Sequence, residues 1–223
     1  MSYRAFVATG VALVVTSSAF ATNFTMTFDT DAAGNAITAG TVLTTQYAAW
    51  GVTVGIAPAP PAGVPLSGLG NGGWATNSDK TIVSSTGSDV GGLGTGTGAI
   101  AGNLLRSFNG WLSENNDPFL RFSFAGGIDS IAADFGGMAD VASTRIFALV
   151  GNTVVGSVTA SATTGRQHLS LSGVGTFDNI IITPGDYNDW VGVDNIAFNT
   201  VPGPASAGML GMGAMMFARR RRA

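Results

Sequence analysis

The chain has 223 residues, no cysteine, one histidine and 33 glycines, and only 10% of its residues are charged, with a formal net charge of −3. This length suits one domain or two, and an apolar fraction of 45% is too high for a wholly disordered chain. The absence of cysteine excludes a disulfide framework, a cysteine zinc site and a thiol nucleophile.

Residues 1–21 are predicted to be a secretory signal peptide. A short cationic start, Met1–Arg4, precedes the apolar run Ala5–Val15. Ala19-Phe20-Ala21 then supplies the small-x-small pattern that signal peptidase reads. The alternative is a buried N-terminal helix, but the apolar run is short and strand-like sequence follows it. The mature chain would therefore begin near Thr22, outside the cytoplasm.

Residues 22–200 predict an all-β domain. Asn23–Phe28 alternates apolar and polar side chains with the period of a half-buried strand. Similar segments recur between glycine, asparagine and proline turn signals; they are Gly51–Ile56, Phe119–Phe124, Ile128–Phe135, Thr144–Val150, Thr153–Val158, Gln167–Leu171, Phe177–Thr183 and Trp190–Phe198. Helical periodicity is almost absent, apart from one short turn at Thr44–Trp50. The pattern favours an antiparallel β-sandwich.

The predicted domain is acidic. Residues 22–200 contain five basic residues and all 13 acidic residues of the chain, which gives a net charge of −8. Because phosphate neutralisation needs clustered lysine and arginine, this body is not expected to bind nucleic acid. An acidic surface suits cations instead, and calcium is one of them.

Carboxylates near both ends of the domain are candidate calcium ligands. Asp29 and Asp31 open a segment that begins like a calcium loop, but Ala33 and Gly40 stand where an EF-hand needs an oxygen ligand and a glutamate. If the first and last strands pair, Asp29 or Asp31 would lie beside Asp194, and calcium accepts such carboxylates together with backbone carbonyls. The alternative is that these residues only form Asx turns and end a strand.

Residues 57–117 are predicted to be a long insertion over one face of the domain. They contain 13 glycines and few aliphatic residues, with a weak strand at Lys80–Ser84. Trp74 and Trp111 lie in this stretch and are candidates for stacking on sugar rings, the alternative being that they pack against the domain. Trp50 and Trp190 lie in strand-like sequence and are predicted to be core residues.

Catalysis finds little support in the sequence. His168 lies in a predicted strand, no G-x-S-x-G motif is present, and no serine or acid can be assigned to this histidine. A glycosidase needs a pair of carboxylates, but Glu114 is the only glutamate and the aspartates are scattered. We therefore predict a non-enzymatic protein, and a glycan-active hydrolase is the third alternative.

The C-terminal residues 201–223 are predicted to be a membrane anchor segment. Val201-Pro202-Gly203-Pro204 breaks regular structure, and the uncharged apolar run Ala205–Ala218 is followed by four arginines. As a hydrophobic helix this run would reach about 21 Å against a bilayer core of about 30 Å. With Val201–Pro204 and arginine snorkelling it comes close to spanning the membrane, as a temporary anchor.

This tail resembles the PEP-CTERM sorting signal of Gram-negative bacteria, which is also known as the "ice-binding protein C-terminal" motif. The match has three parts: a Val-Pro-Glu-Pro-like tetrapeptide, an apolar helix and an arginine cluster; the matching residues are Val201, Pro202, Pro204, Arg219, Arg220, Arg221 and Arg222. Gly203 stands where the family usually has glutamate. The resemblance implies transient tethering to the inner membrane and cleavage near Pro202–Pro204 by an exosortase. Release to the cell surface or the exopolysaccharide matrix would follow.

The body resembles the jelly-roll ectodomains of secreted bacterial proteins that carry this tail. The resemblance rests on the opening Phe28-Asp29, the step from Tyr47 to Gly51-Val52, and the closing segment Val191–Asn195. Similar sandwiches serve as carbohydrate-binding modules, in which a calcium ion often links the first strand to the last.

Together these observations predict a secreted, non-enzymatic protein of the cell surface or biofilm matrix, with a structural or glycan-associating role. The alternative is a calcium-stabilised carbohydrate-binding module with the metal at Asp29, Asp31 and Asp194. The expected partners are signal peptidase, exosortase and the exopolysaccharide.

Overall fold

A computed structural model describes eight parts of the chain, which are residues 21–57, 61, 80–86, 94–106, 120–138, 144–161, 165–184 and 192–201. Within these ranges, no helix is long and apolar enough to cross a membrane. The predicted signal peptide, apart from Ala21, and the sorting segment beyond Val201 lie outside the described residues. Much of 57–117, with Trp74 and Trp111, lies outside them too, as does Trp190.

The described residues form an antiparallel all-β fold, and this part of the prediction is confirmed. The nine strands of these ranges are β1 (Thr22–Met26), β2 (Val52–Ile56), β3 (Ile82–Ser84), β4 (Asn103–Arg106), β5 (Leu120–Met138), β6 (Thr144–Val150), β7 (Thr153–Thr159), β8 (Gly165–Pro184) and β9 (Gly192–Thr200). They join in the order β3-β4-β9-β5-β8-β6-β7, with β1 on β9 and β2 on β5. A 3₁₀ turn at Ala48–Trp50 falls within the predicted short turn.

Two long strands, β5 and β8, connect the half of the sheet that contains β2 with the half that contains β9. The first part of β5 pairs with β2 and its second part pairs with β9, while β8 follows it along most of its length. The register shifts between Ser123 and Ile128, and Gly127 there has φ +72° with a missing Cβ that would lie 2.9 Å from Thr176 Cγ2. Such irregularities bend a strand. The sequence pattern predicts two separate strands in each of these two regions. The structure differs, because each region forms one continuous strand, β5 or β8.

One buried cluster receives side chains from both halves of the sheet. Phe122 and Ile180 come from the half that contains β2, whereas Phe135 and Ile196 come from the half that contains β9. All four are 0% exposed. Burying such side chains contributes about 1.5–3 kcal/mol each relative to exposure, so the two halves of the sheet stabilise each other.

The first and last strands pair, as the calcium hypothesis requires. The register of β1 and β9 runs from Thr22 opposite Thr200 to Met26 opposite Ile196. Half-buried Trp50 packs against this pair, with its ring 4.9 Å from that of Phe24. The pairing places the loop that follows β1 close to the beginning of β9.

A second, smaller apolar cluster lies on the other face of the β6–β8 region. Alternation along β6 sends Ile146 and Ala148 into the main cluster and Phe147 and Leu149 into this second one. Ala57, the first residue of the predicted insertion, is fully buried in it. This face of the sheet is therefore covered where the insertion begins.

Candidate functional site

The outer face of four neighbouring strands carries a shallow groove, which we call the trough. In the order β1-β9-β5-β8, its outward side chains are Asn23, Thr25, Ala197, Asn199, Ser130, Ala132, Ser170 and Ser172. The registers place Ala132 opposite both Ala197 and Ser170, and Ser130 opposite both Asn199 and Ser172. The trough encloses about 420 Å³. An adjoining depression of about 440 Å³ shares Ser130, Ser172 and Asn199 and ends at Asp129 and Gly173.

The trough exists because short side chains occupy these eight outward positions. In the same strands the inward positions hold large apolar residues such as Ile131 and Phe198, which belong to the core cluster. The outward hydroxyl and amide groups can both donate and accept hydrogen bonds. Neither lysine nor arginine lines the trough among the described residues. Its surface therefore suits a neutral, hydroxyl-rich ligand.

A cluster of buried carboxylates lies at the next outward position along the same strands. Asp134 on β5 is opposite His168 on β8 and Asp194 on β9. The Nδ1 atom of His168 lies 2.7 Å from Asp134 Oδ1. Asn195, at a β9 bulge with φ +48°, donates from Nδ2 to Asp134 Oδ2 at 3.0 Å and also to the carbonyl of Ala99. These bonds attach the Ala99 segment to the centre of the sheet.

Asp194 is the most perturbed acid among the described residues. Its side chain accepts hydrogen bonds from the backbone N–H groups of Asn195 at 2.7 Å and Ala101 at 3.5 Å. Burial raises the pKa of Asp194 to about 7, and the nearby charges of Asp29 and Asp134 add to this rise. A cation beside this carboxylate would offset both effects.

Asp29 binds the same backbone segment as Asp194, two residues further along the chain than Ala101. Its Oδ1 accepts the N–H of Asn103 at 2.8 Å, directly after Gly102, which has φ +68°. A Cβ on Gly102 would lie 2.4 Å from Asp29 Oδ1. Asp29 and Asp194 thus bind the main chain on the two sides of Gly102.

Buried Tyr47 fixes the backbone around Asp29. Its hydroxyl accepts the N–H of Phe28 at 3.1 Å and donates to the carbonyl of Thr30 at 2.8 Å. Phe28 needs this support because its φ of +60° is unfavourable for a side chain of this size. Burial raises the pKa of Tyr47 to about 12, so the hydroxyl keeps its proton at neutral pH.

Asp31 is engaged in its own loop. Its Oδ1 accepts the backbone N–H groups of Ala33 at 2.8 Å and Asn35 at 2.9 Å, and its Oδ2 accepts Asn35 Nδ2 at 2.9 Å. The hydrogen bond from the Asn35 side chain is the largest cause of its lowered pKa. This is the Asx-turn arrangement that the sequence leaves open as the alternative.

The three predicted calcium ligands are therefore only partly brought together. Asp29 and Asp194 act on one segment of backbone, while both oxygens of Asp31 bind within the Asp31–Asn35 turn. In the part of the chain that the structure describes, no group of three or more histidine, cysteine, aspartate or glutamate side chains could hold a metal ion. A calcium site here would depend on two carboxylates and main-chain oxygens.

Sequence reasoning missed Asp134, which joins the two strands that carry His168 and Asp194. Its alternation with Ser130 and Ala132 along β5 could have shown that it faces outward, but not which strands lie on either side. Trp74 and Trp111, the predicted stacking residues, lie outside the described residues.

No protein-family model matches the chain, and no match to a curated protein was found. Among solved structures, the K2 cleaved adhesin domain of Lys-gingipain is similar, with 15% identity and a TM-score of 0.41 over 81% of this chain and 98% of that domain. The K1 cleaved adhesin domain of Lys-gingipain from Porphyromonas gingivalis has 10% identity and a TM-score of 0.39 over 81% and 99%. A variant of a family 29 carbohydrate binding module, complexed with mannohexaose, has 12% identity and a TM-score of 0.31 over 82% and 94%. Likenesses this distant carry no inference about function.

Gly102→Ala tests the close approach of Asp29. The new Cβ would displace the carboxylate from the N–H of Asn103, so we expect it to lower the free energy of unfolding by about 1–3 kcal/mol more than its control does. The control is Gly151→Ala, because Gly151 also has a left-handed φ of +60° but nothing within 4 Å of its Cβ position. Urea denaturation measures both, and equal losses would contradict the role of Asp29.

Proposed function

We propose that this chain is a secreted, non-enzymatic protein of the cell surface or exopolysaccharide matrix, and that it associates with glycan through the trough. The single observation that carries this proposal is the trough itself: a groove across four strands whose outward side chains include six hydroxyl or amide groups. Polysaccharides present rows of hydroxyl groups, which such a lining can bind through both donors and acceptors. Recognition here depends on hydrogen bonds along the groove.

Two features of the trough favour binding over catalysis. The residues that line it are uncharged, except for Asp129 at one end. His168, the one histidine of the chain, is bonded through Nδ1 to Asp134 and is not among the residues that line the trough. The jelly-roll connectivity that the sequence suggests is part of the same proposal.

The route to the surface is proposed from the two ends of the chain. Signal peptidase would remove residues 1–21, and the PEP-CTERM-like segment would hold the chain in the inner membrane until exosortase cleaves it. Mass spectrometry of the protein recovered from the surface of the producing bacterium tests this route. We expect a new C-terminus near Pro202–Pro204, whereas a surface chain that retains Arg219–Arg222 would contradict it.

A bulky side chain in the middle of the trough tests the function. Ala132→Trp would fill the groove between Ala197 and Ser170, so we expect the affinity of the full chain for the producing bacterium's exopolysaccharide to fall about tenfold or more, which is a loss of at least about 1.4 kcal/mol. Val42→Trp is the matched control, because Val42 is 50% exposed and does not line the trough. Unchanged binding by a folded Ala132→Trp variant, or no binding by the parent chain, would contradict the proposal.

A second candidate is a calcium-stabilised carbohydrate-binding module, and one observation favours it. Asp29 and Asp194 act on the same backbone segment around Gly102, and burial leaves Asp194 poorly solvated. Calcium would be held there by these two carboxylates with main-chain carbonyls and water. The same binding measurement, made in calcium and then in EDTA, decides this candidate: binding lost in EDTA supports it, and equal binding in both buffers contradicts it.

A further inference from the structure

The outer edge of β7 differs from the edges of β3 and β2 in the described part of the chain. At the β3 edge, the N–H of Gly40 donates to the carbonyl of Ile82 at 2.7 Å, and the N–H of Ile82 donates to the carbonyl of Thr41 at 2.8 Å. At the β2 edge, Lys80 Nζ donates to the carbonyl of Val54 at 2.8 Å. Covering an edge and placing a lysine on it are two ways in which proteins prevent strands from pairing between molecules.

Two further edges are short or partly covered. The edge of β8 near Arg166 is covered by Thr95, whose carbonyl accepts the Arg166 N–H at 2.9 Å. Strand β1 has only five residues, and the charged Asp29 and Asp31 follow it closely. By contrast, β7 has seven residues and pairs only with β6 in the described ranges.

The register identifies which groups of β7 point away from β6. Ala160 donates its N–H to the carbonyl of Thr144 at 2.9 Å, so the bonded pairs of this ladder include Val158 with Ile146. In an antiparallel ladder bonded and non-bonded pairs alternate. The N–H and C=O groups of Ser157 and Thr159 therefore face the outer edge.

The composition of this edge permits self-pairing. Residues 146–165 contain no charged residue and no proline, although the body as a whole carries a net charge of −8. Two copies of so acidic a body repel each other, and this uncharged strand is a place where they can approach. Val155 and Val150 are 38% and 49% exposed near this edge, which leaves apolar surface for a partner to cover.

We propose that β7 pairs edge to edge with β7 of a second copy of this chain. A twofold axis makes such pairing antiparallel and self-complementary. A bulge at Val155 breaks the register between Val154 and Gly156, so the shared ladder is confined to Gly156–Thr159. This interface lies on a strand that does not line the trough, and a dimer presents two troughs to one polysaccharide.

Cysteine cross-linking tests the proposal, because the chain has no cysteine of its own. Ser157→Cys in the full chain, treated with a short bismaleimide, is expected to yield a covalent dimer. Val42→Cys is the control at an exposed position away from β7. Adding Thr159→Lys to Ser157→Cys places like charges across the pair and is expected to abolish the dimer, while the melting temperature verifies that the variant is folded.

The outcomes separate this interface from other forms of association. Dimer from Ser157→Cys alone, lost with Thr159→Lys, supports edge pairing. Equal cross-linking at positions 157 and 42, no cross-linking at 157, or a dimer that persists in the folded Thr159→Lys variant would each overturn it.

Discussion

Strand β9 is the element on which the other features depend, because it pairs along both of its edges. One edge bonds to β5, and the other bonds to β1 and β4. The last strand of the domain therefore joins the first strand, the end of the glycine-rich stretch and the centre of the sheet. Contacts so distant in sequence carry a large loop-closure cost. The buried side chains of β9, such as Ile196 and Phe198, offset that cost.

The same strand connects the trough to the carboxylate cluster. Ala197 and Asn199 of β9 form part of the trough, and the bulge at Asn195 then turns the strand so that Asp194 and Asn195 both meet the Ala99–Asn103 segment. A regular strand would direct only one of these two neighbouring side chains to that side. The bulge thus allows one short piece of chain to contribute to the groove and to hold the loop at its end.

Local alternation predicts most of this fold, because side chains that face a core recur with a period of two. It identifies the strands that begin at Asn23, Gly51 and Thr144. It does not show that β5 continues through Ala125–Gly127, since a glycine pair is typical of a turn and only packing reveals the bend. Strand β4 was missed because Asn103–Arg106 is too short to show alternation.

The site was harder to predict because its parts come from different strands. The sequence predicts that Asp29 or Asp31 lies beside Asp194 if the first and last strands pair, and the structure places Asp29 and Asp194 at one backbone segment. Asp31 was grouped with them, but its local hydrogen bonds with Ala33 and Asn35 hold it in the turn. The trough was not predicted at all, since eight small residues from four strands form no pattern in sequence.

Association with glycan along the trough is the central claim, and side-chain amide NMR signals test it most directly. Asn23 and Asn199 line the trough. Asn152 lies in the β6–β7 turn, where its side chain accepts a hydrogen bond from Arg121, and it serves as an internal reference. Titration of the full chain with neutral fragments of the producing bacterium's exopolysaccharide is predicted to shift the amide signals of Asn23 and Asn199 saturably and to leave Asn152 unchanged. Unmoved signals at Asn23 and Asn199 would contradict the claim.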